Sequence, residues 1–252
     1  MSQFDQKLAD GQGVVGTFCH LDGPAVAECL SLSGLDYVIF DTEHGPFSDE
    51  SVGEMIRAAQ LHSAEAFVRV RDSSRAAVLH ALDLGARGII VPDVQSAEEA
   101  RSLVEYAKYY PLGARGFAFS RSAKYGFLPE LKRIGDYFTA TNRRTILMPQ
   151  CETAGALEHI EEIAALDGID GIFVGPYDLS VALGAPAQFA TPQFTEAVAR
   201  VLRACRTSGK LAFIYANTMP EAKVCFARGY QGAAIGTDTA FLVKAIRNML
   251  QA

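Results

Sequence analysis

Paired cysteines, a basic stripe, a long apolar run and a glycine-rich phosphate loop are all missing from this 252-residue sequence. The five cysteines, Cys19, Cys29, Cys151, Cys205 and Cys225, are odd in number and scattered, with no C-x-x-C spacing. That removes both a disulfide framework and a zinc ribbon, and reads them as reduced, small hydrophobes. A net charge of −6 and an isoelectric point near 5.4, with no basic stripe, argue against nucleic acid as a partner. No apolar run could span a bilayer, and the opening Met1-Ser2-Gln3-Phe4-Asp5-Gln6-Lys7 has neither a basic nor an apolar leader region. No membrane partner is therefore expected, and a cytoplasmic location is. Lysine is absent where it would matter most: Lys7, Lys108, Lys132, Lys210, Lys223 and Lys244 fall in predicted helices, loops or strand starts. None of these ends a strand facing the mouth, and with Lys124 in the irregular loop as the only weak exception, a Schiff-base mechanism lacks its nucleophile. No G-x-x-x-x-G-K-[ST] run supports nucleoside triphosphate binding.

What is present is a rhythm. Strand-type runs at 14–18, 37–41, 66–70, 88–92, 145–150, 171–175, 210–215 and 232–236 alternate with helical patterns at 24–32, 49–61, 74–84, 96–109, 153–165, 191–207, 220–227 and 240–249. Ser96-Ala97-Glu98-Glu99 has the spacing of a capping box, and Gly85 can end the third helix. Eight strand–helix units, with no Pro/Gly/Ser linker between them, predict an α/β protein: a single (β/α)8 TIM barrel domain over 1–252. An open doubly wound sheet is the alternative, disfavoured because no G-x-G-x-x-G turn follows the first strand. One segment, 111–127, is too long and irregular for a plain connection and is expected to overlie the barrel mouth or pack on a neighbouring subunit.

Polar residues at strand ends stand where barrel enzymes keep their chemistry. Strand alternation turns Gln150 and Glu152 to one side and Cys151 to the other. Glu152 and Asp178 then follow adjacent strands, and two carboxylates over one barrel end suit a Mg²⁺ or Mn²⁺ ion completed by waters and a chelating substrate. The competing reading makes Glu152 a cap of the fifth helix and Asp178 a cap of a turn. His44 has Asp41 three residues before it, and an aspartate that holds one imidazole nitrogen makes the other a general base. His62, His80 and His159 lie in helical runs without such a neighbour, whereas His20, in the first loop near Asp22, stands apart from them. Arg69, inward on the third strand, can bind a carboxylate or enolate oxygen; the alternative is an ion pair with Asp72 or Glu43.

At these residues the chain resembles the HpcH/HpaI aldolase family, metal-dependent class II aldolases that act on pyruvate-type substrates. The likeness spans nearly the whole chain as an ordered set: Asp41-x-Glu43-His44, Val68-Arg69, Leu82-Asp83-x-Gly85-Ala86, Val91-Pro92-x-Val94, Glu98-Glu99-Ala100, Pro111-x-Gly113-x-Arg115-Gly116, Gln150-x-Glu152-Thr153 and Gly175-Pro176-x-Asp178-Leu179-Ser180. The resemblance implies His44 as the base tuned by Asp41 and Asp83, Arg69 as the enolate stabiliser, and Glu152 and Asp178 as ligands of Mg²⁺, Mn²⁺ or Co²⁺. Gln150, with the Gly175-Pro176 turn and Tyr177, would contact substrate. It further implies a homo-oligomer, a hexamer built from dimers that exchange the last helix, with Asp83 acting across the interface. Independently, a carboxylate such as Asp83 in a helix's last turn opposes the macrodipole and needs a compensating partner. Asp93 and Tyr177 depart from the family pattern, and the added anion and bulky phenol would select against dicarboxylate semialdehydes. The expected reaction is reversible cleavage of a 4-hydroxy-2-oxo acid to pyruvate or hydroxypyruvate and an aldehyde. Alternatives are a CoA-thioester lyase of the citrate lyase β-like type, a metal-assisted enolising decarboxylase or hydratase, and a non-catalytic metabolite-binding barrel.

Overall fold

Eight short parallel strands, each followed by helix, close into a barrel in a computed structural model that describes residues 2–251; residues 1 and 252 lie outside the described ones. The strands are β1 (Val14–Cys19), β2 (Tyr37–Asp41), β3 (Glu65–Arg69), β4 (Gly88–Val91), β5 (Ile146–Cys151), β6 (Gly171–Val174), β7 (Leu211–Ala216) and β8 (Gly232–Thr237). Closure is direct, since β1 pairs in parallel with both β2 and β8. The helices are α1 (Gln3–Ala9), α2 (Pro24–Leu32), α3 (Asp49–Ala59), α4 (Arg75–Asp83), α5 (Ala97–Ala107), α6 (Ile134–Arg144), α7 (Ala154–Glu158), α8 (Ile160–Ala165), α9 (Pro176–Ala182), α10 (Pro192–Thr207), α11 (Met219–Arg228) and α12 (Asp238–Gln251). The expected (β/α)8 architecture is the observed one. No helix among the described residues is long and apolar enough to cross a membrane.

The two-residue period of the strands sorts side chains between two cores. Tyr37, Ile39, Phe67, Ile90, Met148, Phe173 and Phe213 fill the lumen, while Val38, Phe40, Val68, Ile89, Leu147 and Ile172 face the helices. Gly16 makes room for this packing, because a Cβ there would stand 2.3 Å from the Tyr37 ring. Carried one step further along each strand, the same parity turns Asp41, Arg69, Gln150 and Tyr215 inward at the carboxyl ends. Asp41 and Arg69 are register partners on neighbouring strands, so a carboxylate and a guanidinium meet there by construction.

Three helices were not legible in the sequence. The seven-residue α1 is too short to show a period, yet Ser2 and Asp5 cap it reciprocally and Phe4 is fully buried beneath the lumen, edge-on to Tyr37 at 5.9 Å. It closes the amino-terminal end. Short α9 lies inside a turn that reads as loop, and α6 follows the irregular segment. That segment is not over the mouth. It contains a 3-10 turn, Arg121–Gly126, whose Arg121 donates to the Leu84 carbonyl at 2.8 Å and to Gln60 Oε1 at 2.7 Å. Both partners end helices that lead into strands, so the segment lies at the amino-terminal rim, held by the packing of Phe117 with Tyr109, Tyr137 and Phe138.

After Ala240, α12 is exposed on every side, including Leu242, Val243, Ile246, Met249 and Leu250. Its apolar face has no cover within the chain, and such a face in water favours association. Light scattering at micromolar concentration should therefore show an assembly larger than a monomer, and a monodisperse monomer would contradict it.

Candidate active site

At the carboxyl ends of the strands a cavity of about 200 Å³ is lined by Phe18, His20, His44, Arg69, Gln150, Phe173, Gly175, Pro176, Tyr177, Asp178, Tyr215 and Thr237. A larger cleft of about 880 Å³ lies beside the irregular segment, but none of the expected catalytic or ligand residues lines it. The chemistry is therefore sought in the smaller one.

Its anchor is Asp41, which is fully buried. Arg69 donates to it through two nitrogens, Nε to Oδ1 at 2.8 Å and Nη2 to Oδ2 at 2.6 Å, and lies 4.7 Å above the Phe18 ring. The Glu43 and His44 amides also donate to Asp41 Oδ1, at 3.2 and 3.4 Å. Burial raises the Asp41 pKa, but hydrogen bonds from His20 and Arg69 outweigh it and hold the carboxyl well below the usual range. Asp41 is an anion here. Of the two ion pairs offered as the alternative for Arg69, the one with Glu43 is present, Oε2 standing 3.3 Å from Arg69 Nε, and the one with Asp72 is not found among the described residues.

The imidazole that Asp41 holds is not the expected one. His20 Nε2 lies 2.7 Å from Asp41 Oδ2, whereas the His44 ring is 65% exposed and its nearest carboxylate is Glu43, at 3.9 Å. The expected Asp41–His44 dyad is corrected on this point. Proximity in sequence brought Asp41 to the His44 backbone amide, while the ring stays off the Asp41 carboxylate and lines the cavity. Asp83 is likewise committed elsewhere within the chain: the buried Arg115 donates to it at 2.8 Å, and this is the compensating partner that its place at the end of α4 demands.

Asp178 lines the cavity, and the carboxylates of Glu152 and Glu43 lie near enough for their charges to bear on one another. Glu152 is buried; the Asp93 amide donates to its Oε1 at 2.8 Å, and Gln150 Nε2 donates to its Oε2. It does not cap the following helix, because Thr153 does. Burial pushes Glu152 up to about 7, with the charges of Glu43 and Asp178 adding to the effect. Burial also raises Glu43, with Asp41 and Asp178 adding and Arg69 and His44 opposing. Glu43 Oε2 and Gln150 Oε1 are buried without a hydrogen-bond partner. Glu43 is the residue the sequence reading passed over as a mere salt-bridge acceptor; its position between Asp41 and His44 was the available signal.

No cluster of three or more His, Cys, Asp or Glu side chains close enough to hold a metal ion occurs among the described residues. Glu152 and Asp178 could still supply two ligands, the rest coming from water and substrate oxygens. A buried carboxylate with a raised pKa, two other acids nearby and no ion pair of its own among the described residues is the donor set that a divalent ion would relieve. Gly175 leaves the room, since a Cβ there would stand 2.8 Å from Glu152 Oε2. Asp93 reaches this group only through its amide; its side chain is exposed and accepts from Gln95 at 2.6 Å. Tyr177 forms the outer wall, donating to Asn217 Oδ1 at 3.1 Å, with its ring edge-on to Phe189. No lysine lines the cavity, and the most buried one, Lys108, donates to Asp170 and to two carbonyls ahead of β5 and β6, at the far end of the barrel.

The family model described as HpcH/HpaI aldolase/citrate lyase matches residues 15–245. The 2-keto-3-deoxy-L-rhamnonate aldolase of Klebsiella pneumoniae subsp. pneumoniae is 31% identical over 249 residues, covering 98% of this chain and 91% of the relative. The pyruvate aldolase of Rhizobium etli is 32% identical, with 97% and 94% covered. A solved HpcH/HpaI aldolase/citrate lyase family protein from Burkholderia cenocepacia superposes with a TM-score of 0.90 at 30% identity, covering 100% of this chain and 98% of that one.

The raised Glu152 pKa has a signed consequence. A carboxyl whose folded pKa is about 7, against an ordinary 4.5, binds its proton more tightly when folded. Its stabilising contribution is complete below the unfolded value and is lost as pH rises through about 7. Chelator-treated protein should therefore lose thermal stability between roughly pH 5 and 8, and Glu152→Gln should flatten that loss. Added Mn²⁺ should raise the midpoint of the wild type at pH 8 and not that of the variant. Identical pH curves for the two proteins would contradict the assignment.

Proposed function

Because the chain belongs to the HpcH/HpaI aldolase/citrate lyase family, we propose that it is a divalent-metal-dependent aldolase cleaving 4-hydroxy-2-oxo acids to pyruvate or hydroxypyruvate and an aldehyde. One observation carries the reading. A guanidinium clamped by a buried aspartate shares a cavity with Gln150, Asp178 and two imidazoles, Glu152 adjoins it, and no lysine lines it.

A divalent cation held by Glu152 and Asp178 would supply Lewis acidity toward the keto and carboxylate oxygens of the 2-oxo acid. Arg69, oriented by Asp41, offers its remaining N–H groups to the oxygen that becomes the enolate. His44 takes the proton of the 4-hydroxyl. Gln150, whose Oε1 is unpartnered, and the Gly175-Pro176 turn contact the pyruvate portion, while Tyr177 borders the aldehyde portion. A CoA thioester fits less well: Arg69 is the one Lys or Arg on the cavity wall, and it is already engaged. The assembly we propose is a hexamer in which α12 is exchanged and Asp83 of a second copy approaches His44. Five unpaired cysteines suit a reducing cytoplasm.

Metal dependence is tested by chelation. Cleavage should be abolished and then restored by Mg²⁺, Mn²⁺ or Co²⁺, and borohydride with pyruvate should trap no adduct; a stable reduced adduct would sink the reading. Arg69→Lys keeps the charge and loses the planar fork, so it should remain folded yet slow cleavage on the order of 10²–10³. Wild-type turnover in that variant would mean that Arg69 serves only to neutralise Asp41.

A further inference from the structure

Asp41 accepts from two side chains at a single oxygen: Oδ2 lies 2.6 Å from Arg69 Nη2 and 2.7 Å from His20 Nε2. An ionised carboxylate can only accept, so His20 Nε2 must carry a hydrogen, and Nδ1 is the ring nitrogen whose proton can come and go. The backbone that carries the ring is fixed as well. The amides of His20 and Leu21 both donate to the buried Asp238 at 2.9 Å, which ties the end of β1 to the start of α12. The His20 side chain is 29% exposed and lines the same cavity as Arg69 and Gln150. His44 has no comparable tether. Because His20 and Arg69 share one Asp41 oxygen, His20 stands beside the group proposed to hold the enolate, at the pyruvate end of the site rather than the aldehyde end.

We propose that His20 is a second proton carrier of this site, passing a proton between its Nδ1 and C3 of the pyruvate unit. The assignment rests on the aldolase reading above. In cleavage the C3–C4 bond breaks, its electron pair becomes the enolate, the hydroxyl proton goes to His44 and the aldehyde departs. His20 Nδ1–H then donates to C3: a C–H bond forms as the enolate returns to the keto acid, and the imidazole is left neutral. Solvent returns a proton to His20 while His44 releases one, so the cycle is proton-neutral. In the addition direction the neutral Nδ1 removes a methyl proton from pyruvate. Separate carriers for oxygen and carbon spare one ring from serving both ends of the breaking bond.

The assay is deuterium exchange into the methyl group of pyruvate, followed by NMR with the Mn²⁺-loaded protein and no aldehyde. His20→Gln keeps an N–H donor for Asp41 and removes Nδ1, so a purely orienting role would survive it. The expected result is a loss of exchange of about 10²–10⁴ in a folded variant that still binds pyruvate. His20→Ala should lose exchange likewise and regain it with added imidazole, which a folding defect would not. Wild-type exchange in His20→Gln, or a folded His20→Ala that imidazole does not rescue, would overturn the role of His20 while leaving the aldolase reading intact. Wild-type protein that neither exchanges pyruvate protons nor cleaves hydroxy-oxo acids would overturn both.

Discussion

Everything polar at the mouth is arranged around the buried charge of Asp41. An ion of that kind is tolerated only when nearly all of its lone pairs are engaged, and here a two-nitrogen clamp from Arg69, His20 and two amides engage them. Deleting one partner of such a buried pair commonly costs about 3–5 kcal/mol, because the other is left uncompensated. The stability of the pair thereby becomes the rigidity of the site. Arg69 cannot swing without breaking two short hydrogen bonds, so its free N–H groups keep one aim.

Across the cavity the electrostatics run the other way. Burial raises the cost of ionising Glu152, and the charges of Glu43 and Asp178 add to it. Left to itself, the group lowers that cost by holding a proton. A divalent ion can replace the proton, and the affinity for it is then tied to the same pH range. One side of the pocket is thus satisfied internally, whereas Glu152 and Asp178 have no ion-pair partner among the described residues, an asymmetry that fits the cation binding proposed above.

The two ends of the barrel divide the labour. At the amino end Phe4 plugs the lumen, and Lys108 is spent on Asp170 and two carbonyls, in contacts that close the structure and leave nothing reactive. At the carboxyl end the strands finish in Asp41, Arg69 and the Gln150-Cys151-Glu152 run, and function is concentrated there.

The sequence alone determined the barrel and the list of strand-end residues, because both follow from local periods: two residues per strand repeat, with helical stretches between. Alternation sufficed to turn Gln150 inward and Cys151 toward the helices, and the count of eight units sufficed for closure. Short or irregular pieces such as α1, α9 and the rim segment carried too few turns for a period to show. The pairing of side chains was decided by tertiary structure. Asp41 lies three residues from His44 and twenty-one from His20, yet it is His20 that it holds, because β1 and β2 are neighbours in the barrel and their carboxyl ends meet. The Asp83–Arg115 pair and the action of the Glu43 and Asp178 charges on Glu152 likewise arise between distant segments. Spacing along a chain fixes which face of its own strand a residue takes; which charge it meets depends on what the closed sheet brings alongside.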